Sequence, residues 1–360
     1  MQWSELASRV VPILGFLLGI TVVAELADRV GVFTVLADRV AVLARGSVAR
    51  LWGLVVVLAT LSTAVLSLDT TAVLLTPVVL ALATQLGLDR ALFAYTTVWL
   101  ANTASLVLPV SNLTNLLALH VLAVDAPAFA RLMWPAAAAA IGVTVATLAV
   151  IFRRSLRGRF TPTLAPAIRD RPLLILALTV CGLLGPVFAA GINVTYAAAA
   201  AALILVAGCL IRAPQLLSWR LLPWKLILGV TALFAVVQVA QDHGLSALLS
   251  RAAGGAGTQW VDQLRLAAVA TLGANTVNNL PAYLAMEPVA ADAPIRMAAL
   301  LVGVNAGPLI TPWASLATLL WAGRCRAADV PISWATFTLR GLIIVPLLLI
   351  ICTGALTLTN

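Results

Sequence analysis

Charged residues are scarce in this sequence of 360 residues. Asp, Glu, Lys and Arg make up 10% of it, against about 25% in soluble globular domains. Hydrophobic residues make up 62%, and the mean hydropathy is +1.07. Several apolar runs are long enough to cross ~30 Å of hydrocarbon, and they do not alternate as the strands of a membrane barrel do. The composition therefore excludes a soluble globule and predicts an all-α polytopic membrane protein.

Residues that carry catalytic and metal chemistry are also few. His120 and His243 have no partners at metal-ligand spacing, and the hydrolase, zinc-protease and phosphate-loop motifs are absent. The four cysteines lie too far apart for a C-x-x-C motif or a disulfide framework: Cys181, Cys209, Cys325 and Cys352. We therefore predict no enzyme activity, no catalytic residue, no metal site and no cofactor.

Lysine is almost absent, since 21 of the 22 basic residues are arginine. In a soluble protein the net charge of +9 would suggest a nucleic-acid partner. Here most basic residues fall between apolar segments, where positive charge marks the cytoplasmic side. Six lie in the stretch 153–171, and alternation from there places sixteen inside and five outside, with Arg340 unassigned. This asymmetry predicts a protein of the inner (cytoplasmic) membrane with both termini extracytoplasmic, and no nucleic-acid partner.

Apolar segments are predicted to cross the membrane eight times, at about 10–32, 92–124, 135–152, 172–190, 194–211, 224–242, 296–323 and 335–357. Two further apolar stretches, about 51–88 and 263–286, have polar clusters near their middles. We expect each of these to enter and return on one side as a re-entrant helical hairpin. The start of the chain lacks the basic residues and cleavage site of a signal peptide.

The same series of four elements occurs twice in the chain: a span, a stretch with a polar break, a long interrupted span and a further span. The distribution of arginines gives the two copies opposite orientations in the membrane. This is the pattern of an inverted-topology repeat. At an offset of 203 residues, LANTASLVLPVSNLTNLL lies over VNAGPLITPWASLATLL, which matches Asn102 with Asn305 and Pro109 with Pro312. We predict a first repeat over 1–152, a cytoplasmic loop with two scaffold helices over 153–223, and a second repeat over 224–360.

The polar cluster of the first hairpin contains the most informative residue, Asp69. It is the only charged residue between Arg50 and Asp89, and intramembrane acids usually face a cavity and mark ion or proton paths. Ser67 and Thr70 beside it are further candidate ligands. The alternative interpretation makes 51–88 two full spans, with Asp69 a solvated residue of the turn between them.

Three other polar breaks complete the predicted site. The second hairpin contributes Asn275, Asn278 and Asn279, of which the adjacent pair corresponds loosely to Asp69-Thr70. Proline breaks the two long spans and leaves half-helix ends free to bind something polar. These spans contribute Asn102, Ser111, Asn112, Asn115, Asn305, Thr311 and Ser315. Each residue could instead satisfy a helix end or a kink inside a packed bundle.

These segments resemble the arsenical-pump membrane proteins, the arsenite and antimonite permeases of the ion transporter superfamily. The resemblance runs from about Trp3 to the C-terminus and is strongest in LDTTAVLLTPVVLAL, LANTASLVLPVSNLTNL, ANTVNNLPAYL and NAGPLITPWASLATLLW. It implies a fold with two hairpins in an inverted repeat, and export of trivalent arsenic and antimony. By motif position it implies that Asp69 and residues 112–115 line the site together with Asn278, Asn279, Thr311 and Ser315.

Two departures accompany the resemblance. The family has two further N-terminal helices, part of a scaffold on which related transporters dimerise, and Leu309 stands where the family tends to have a charged residue. The family also implies coupling to the proton gradient or to a cytoplasmic ATPase subunit, and a homodimer is a further partner to test. We predict an exporter of neutral arsenite or antimonite in which Asp69 exchanges a proton.

Rival functions remain open at this point. Within transport they are a sodium–proton antiporter and a transporter of carboxylates or inorganic anions from the same superfamily. No Arg or Lys lies in any of the four breaks to pair with a carboxylate, although half-helix N-termini can replace one. Outside transport, the chain could be an intramembrane enzyme or a remnant that no longer transports.

Overall fold

The computed structural model describes residues 3–161, 170–222, 224–254 and 256–359. Within these ranges the regular elements are helices, and the only β pairing is an isolated bridge between Ser47 and Arg159. Seven helices are long and apolar enough to cross a membrane. The predicted all-helical membrane protein is therefore confirmed for the described part of the chain. The predicted basic stretch 153–171 lies partly outside the described residues.

The first half of the chain contains seven helices: α1 (Trp3–Val30), α2 (Val32–Leu43), α3 (Val48–Leu66), α4 (Leu68–Gln85), α5 (Arg90–Thr103), α6 (Leu113–Leu122) and α7 (Ala126–Ile151). We call α3 and α4 the first helical pair. Residues 104–112, between α5 and α6, are the first link. Within α4 the segment Thr71–Leu75 has π-helical hydrogen bonding.

Side-chain caps explain several helix starts in this half. Asp89 accepts a hydrogen bond from the backbone N of Ala91 at 3.0 Å and begins α5. Asp125 accepts from Ala128 N at 2.8 Å and begins α7. Asn112 accepts from Thr114 N at 3.3 Å and restarts the helix after the first link. Each cap satisfies a backbone N–H in the first turn that has no acceptor within its own helix.

Two helices of the middle region follow, α8 (Arg171–Ala189) and α9 (Val194–Arg212). The second half contains α10 (Trp224–Asp242), α11 (Leu245–Ala253), α12 (Trp260–Val277), α13 (Asn279–Ala290), α14 (Pro294–Asn305), α15 (Leu316–Ala327) and α16 (Trp334–Leu356). We call α12 and α13 the second helical pair. Residues 306–315 are the second link.

Short helices α2 and α11 did not emerge from the sequence patterns. They have 12 and 9 residues, too few to cross a bilayer. Each directly precedes a helical pair and begins after a glycine with positive φ, Gly31 at 96° and Gly244 at 91°. The two halves therefore share this element as well as the pair and the interrupted helix.

Packing crosses between the two halves. The first pair packs on α5 and the second pair on α14, while α15 contacts the first pair and α6 contacts the second pair. Trp321 of α15 donates its Nε1–H to the Ala94 carbonyl of α5 at 2.9 Å, and both residues are fully buried. At the periphery α1 packs on α9, and α7 packs on α16. This exchange brings the turns of both pairs to the links of the interrupted helices.

Candidate functional site

A single residue, Ser67, makes the turn of the first pair. Its φ is 104° and its ψ is 162°, a region of backbone space that essentially only glycine adopts. Ser67 Oγ lies 3.3 Å from Thr70 Oγ1 and 3.5 Å from Thr70 N. Asp69 follows in the first turn of α4, where the helix dipole favours a negative charge. The turn therefore places a carboxylate at the positive end of a helix.

A cavity of about 620 Å³ adjoins this turn. Its polar lining comes from the turn and from α1: Thr21, Glu25, Ser67, Asp69 and Thr70. The rest of the lining is apolar: Leu17, Ala24, Val73, Leu74, Gly229, Leu233, Leu280, Leu316 and Leu320. The structure thus brings three predicted site residues, Ser67, Asp69 and Thr70, to one cavity.

The Asp69 carboxylate lines this cavity and has no protein partner in the described part of the chain. Among the described residues, none forms a hydrogen bond or an ion pair with it. Asp69 itself is partly exposed, and its neighbours Leu68 and Thr70 are 5% and 7% exposed, so the turn is largely but not fully buried. A carboxylate in such surroundings must be solvated, paired or protonated. Asp69 is therefore placed to exchange a proton or to bind a polar solute in the cavity.

A second carboxylate in the cavity lining, Glu25, was not among the predicted site residues. Its Oε2 lies 3.8 Å from Nε of Arg29, one turn later on α1. Arg29 also donates to the Leu216 carbonyl at 2.6 Å and to Ser218 Oγ at 3.0 Å. Glu25 is thus partly neutralised, whereas Asp69 is not. A signal was present in the sequence, since Glu25 is an acid inside the predicted span 10–32.

The turn of the second pair has the same backbone conformation. Asn278 has φ 119° and ψ 157°, so it corresponds to Ser67. This shifts the loose correspondence expected from the sequence, because Leu280 and not Asn278 then stands opposite Asp69. Asn278 Nδ2 donates to the Trp313 carbonyl at 2.8 Å, and the backbone N of Asn279 donates to the Ala314 carbonyl at 2.8 Å. The second turn is therefore bonded directly to the second link.

Asn275 strengthens the attachment of the second turn. Its Nδ2 donates to the Gly307 carbonyl at 3.0 Å, and its Oδ1 accepts from Thr311 N at 2.9 Å and from Thr311 Oγ1 at 3.2 Å. The Asn275 carbonyl accepts from Trp313 Nε1 at 2.9 Å. Four predicted residues, Asn275, Asn278, Asn279 and Thr311, therefore lie together here. Most of their hydrogen-bonding capacity is used within the protein.

Asn305 forms the centre of a buried network, which we call the Asn305 crossing. Its Oδ1 accepts from Asn112 Nδ2 and from Thr114 Oγ1, both at 2.8 Å, and its Nδ2 donates to Asn115 Oδ1 at 2.7 Å. Asn115 Nδ2 donates in turn to the carbonyls of Ser105 and Leu108. The network joins the end of α14 to the start of α6. Three more predicted ligands thus act as mutual partners.

The contact between α5 and α15 is the equivalent of the Asn305 crossing, but its hydrogen bonding is different. At the offset of 203 residues, Asn102 corresponds to Asn305, Ser315 to Asn112 and Thr318 to Asn115. All three side chains are fully buried. Within the described part of the chain, Asn102 Oδ1, Ser315 Oγ and Thr318 Oγ1 have no hydrogen-bond partner. We call this the Asn102 crossing; Thr318 was not a predicted site residue.

Ser111 attaches the first link to the first pair. Its Oγ donates to the Ala64 carbonyl at 3.0 Å, close to the end of α3. This contact resembles the bonds between Asn278, Asn279 and the second link, but a single side-chain bond replaces several. Ser111 therefore has a positioning role in this structure.

Charge and metal chemistry are limited around the cavity. No Lys or Arg lines it among the described residues. The described residues contain no group of three or more His, Cys, Asp or Glu that could hold a metal ion. The four cysteines are free thiols, and three of them are buried. The arrangement can bind a neutral or cationic polar solute by hydrogen bonds at one end of an apolar cavity.

Comparisons with known proteins agree with a transport site. The citrate transporter family matches residues 3–323. The arsenical pump membrane protein of Yersinia enterocolitica is 29% identical over an alignment of 372 positions, gaps included, that covers 95% of this chain and 85% of that protein. The proteins of the same name from Escherichia coli K12 and Shigella flexneri are each 28% identical, with the same coverage. On the family match, this chain belongs to the citrate transporter family.

Proposed function

We propose that this protein is a secondary transporter that exports arsenite and antimonite, with Asp69 as the group that exchanges a proton. The proposal is carried by the Asp69 carboxylate, which lines the cavity and has no hydrogen-bond or ion-pair partner among the described residues. Hydroxyls of Ser67 and Thr70 beside it suit a neutral trihydroxy acid, which both donates and accepts hydrogen bonds. The arsenical substrate is supported by the printed names of the relatives.

An inverted repeat with two re-entrant hairpins is part of this proposal. Both pairs turn at a residue of positive φ, Ser67 and Asn278. A link inside an interrupted helix bonds to each pair at or near its turn, to the Ala64 carbonyl in the first pair and to Asn278 in the second. A link in the middle of a span lies at mid-membrane depth, so a turn that contacts it ends there as well. Helices α6 and α15 begin 203 residues apart, at Leu113 and Leu316, each after a cap residue of extended backbone.

The remaining features of the proposal concern topology and partners. We place the repeats at 1–152 and 224–360, with both termini extracytoplasmic in the inner membrane. Reporter fusions at the two ends should therefore report the periplasmic side, and a tag near Arg157 the cytoplasmic side. Termini on opposite sides would contradict the inverted repeat. An ATPase subunit and a homodimer are partners to test by co-purification.

The family description favours a second candidate, citrate transport. Citrate carries three carboxylates, which transport proteins usually neutralise with Arg, Lys, a cation or helix N-termini. The described cavity lining offers two carboxylates, Glu25 and Asp69, and no Arg or Lys. Repulsion between like charges therefore favours a neutral substrate over citrate, and a sodium–proton antiporter is the remaining rival.

Everted membrane vesicles with an acidic lumen test the proposal. Proton efflux from the lumen should drive uptake of arsenite and antimonite, and citrate, succinate and sodium should accumulate far less. Asp69→Asn keeps the size of the side chain but cannot titrate, so gradient-driven accumulation should fall to background. Exchange of labelled arsenite between compartments of equal pH should persist. Asp69→Glu should retain part of the coupled transport, because it preserves the acid.

Asp38→Asn is the matched control, since Asp38 lies on α2 and does not line the cavity. It should transport as the wild type does. Full gradient-driven accumulation by Asp69→Asn would show that another group carries the proton. Accumulation of citrate in preference to arsenite would replace the proposed substrate with the second candidate.

A further inference from the structure

The cavity beside Asp69 is lined by two chemically different sets of residues. Among the described residues, those that follow residue 223 in the chain and line the cavity are apolar: Gly229, Leu233, Leu280, Leu316 and Leu320. The described polar lining residues come from α1 and the first pair, which also contribute Leu17, Ala24, Val73 and Leu74. The cavity is therefore amphipathic: its hydroxyls and carboxylates come from one half of the chain, and the other half contributes apolar groups, mostly leucine side chains.

An inorganic hydroxy acid such as arsenite would form hydrogen bonds with the polar groups of the cavity and would leave its apolar surface uncovered. Arsenite in its neutral form has one arsenic atom and three hydroxyls, and it occupies roughly the volume of three water molecules, about 100 Å³. The cavity holds about 620 Å³. An apolar cavity of about 150 Å³ is enough for a benzene-sized ring. Space and apolar surface therefore remain after the trihydroxy acid has made its hydrogen bonds.

We infer that the cavity takes organic arsonous acids, R–As(OH)₂, with an aryl or alkyl group R against the leucine side chains and the two hydroxyls at Ser67, Asp69 and Thr70. This inference rests on the proposed arsenical transport and extends its substrate class. Burial of the organic group adds a hydrophobic contribution that the inorganic acid cannot make. The protein should therefore bind an arylarsonous acid more tightly than it binds arsenite.

Binding in this cavity is noncovalent. Trivalent arsenic forms stable complexes with paired thiols, but the cysteines are widely separated in sequence, and none of them lines the cavity. Replacement of one hydroxyl of arsenous acid by a phenyl group keeps the molecule neutral, so no charge has to be compensated. The same acceptors and hydroxyls then serve both kinds of substrate.

Equilibrium dialysis of the purified protein in detergent, with arsenic measured by mass spectrometry, tests binding without any need for transport. The ligands are phenylarsonous acid, methylarsonous acid and arsenite in thiol-free buffer. We expect phenylarsonous acid to bind at least tenfold more tightly than arsenite, and methylarsonous acid to fall between them. Equal affinities for all three would overturn the inference.

Substitutions that fill the apolar part of the cavity test where the organic group binds. Leu320→Trp should weaken binding of phenylarsonous acid at least tenfold and weaken arsenite binding by a much smaller factor, because the inorganic acid has no organic group to place against Leu320. Gly229→Leu should act in the same direction, because a side chain at Gly229 meets open space. Leu319→Trp is the matched control, since Leu319 is 45% exposed on the same helix and does not line the cavity.

The possible outcomes distinguish a failure of this inference from a failure of the proposed function. Phenylarsonous acid that binds equally to wild type, Leu320→Trp and Leu319→Trp would show partition into detergent and would overturn the inference. In everted vesicles, phenylarsonous acid should compete with arsenite uptake, and Leu320→Trp should relieve that competition. If arsenite is not transported but Trp-sensitive binding of phenylarsonous acid persists, the proposed inorganic substrate fails and the organic binding site stands.

Discussion

The Asn305 and Asn102 crossings use equivalent positions in the two halves but differ in their hydrogen bonds. Asn305 bonds to three side chains of the first link and α6. At the Asn102 crossing, three buried polar atoms have no partner within the described part of the chain. An asparagine in a transporter can thus be a structural connector or a free polar group. Residue type alone does not distinguish these two roles, whereas the hydrogen-bond partners of the side chain do.

The largest expected difference comes from replacing the two asparagines with leucine. Asn305→Leu would leave polar groups of Asn112, Thr114 and Asn115 buried without their partner, at about 1–3 kcal/mol each. We expect a loss of about 3–5 kcal/mol in the free energy of unfolding, because some of these groups will find new partners. Asn102→Leu removes only the bond from Nδ2 to the Val98 carbonyl, so about 1 kcal/mol should be lost.

Unfolding of the purified proteins in detergent, followed by circular dichroism, measures this comparison. The wild type and both variants must be compared at equal protein and detergent concentrations. Equal destabilisation by the two substitutions would mean that the Asn102 crossing is as fully bonded as its counterpart, for example through ordered water.

Asn275→Ala should have the next largest effect, on transport more than on stability. It removes the side-chain bonds that hold the second turn to Gly307 and Thr311. Ser67→Ala, in the turn of the first pair, removes only long contacts to Thr70 of 3.3 and 3.5 Å. Ser67→Ala also removes one of the proposed substrate ligands, but Asp69 and Thr70 remain. Initial rates of arsenite uptake in vesicles should therefore fall at least tenfold for Asn275→Ala and by a smaller factor for Ser67→Ala, since one neutral hydrogen bond contributes about 1 kcal/mol. If Asn275→Ala takes up arsenite as fast as Ser67→Ala does and close to the wild-type rate, the second turn does not need this attachment.

Much of this arrangement was accessible from the sequence, and the limits have a physical cause. The isolation of Asp69 among apolar residues predicted a functional role for it, and the matched Asn and Pro residues predicted equivalent breaks at 109–115 and 307–315. Hydrogen-bond partners could not be predicted, because they depend on which helices from the opposite half pack there. Glu25 was not singled out as a site residue, although it is an acid inside the predicted span 10–32.

Glycine substitutions at the two turns should have smaller effects of different size. Ser67 and Asn278 both occupy a region that disfavours side chains by about 1–3 kcal/mol. Ser67→Gly should therefore raise the unfolding free energy by about 1 kcal/mol. Asn278→Gly relieves the same strain but loses the 2.8 Å bond to Trp313, so it should be nearly neutral. Thermal unfolding of both variants beside Asn278→Ala, which keeps the strain and loses the bond, checks this order; the Ala variant should be the least stable.

The smallest effect is expected for Thr318→Val, and its matched partner is Thr114→Val at the other crossing. Both substitutions replace a hydroxyl with a methyl group of similar size at a fully buried position. Thr114 donates to Asn305 Oδ1 at 2.8 Å, so its loss should cost about 1 kcal/mol or more. Thr318 Oγ1 has no described partner, and removal of an unsatisfied buried hydroxyl should change the unfolding free energy by less than about 0.5 kcal/mol or stabilise the protein.

Transport measurements then show whether the Thr318 hydroxyl has a functional role. If Thr318→Val keeps full stability but slows arsenite uptake, its hydroxyl serves a solute during the transport cycle. If stability and uptake are both unchanged, the Asn102 crossing is an unsatisfied version of the Asn305 crossing with no role in transport. Destabilisation equal to that of Thr114→Val would contradict the difference between the two crossings itself.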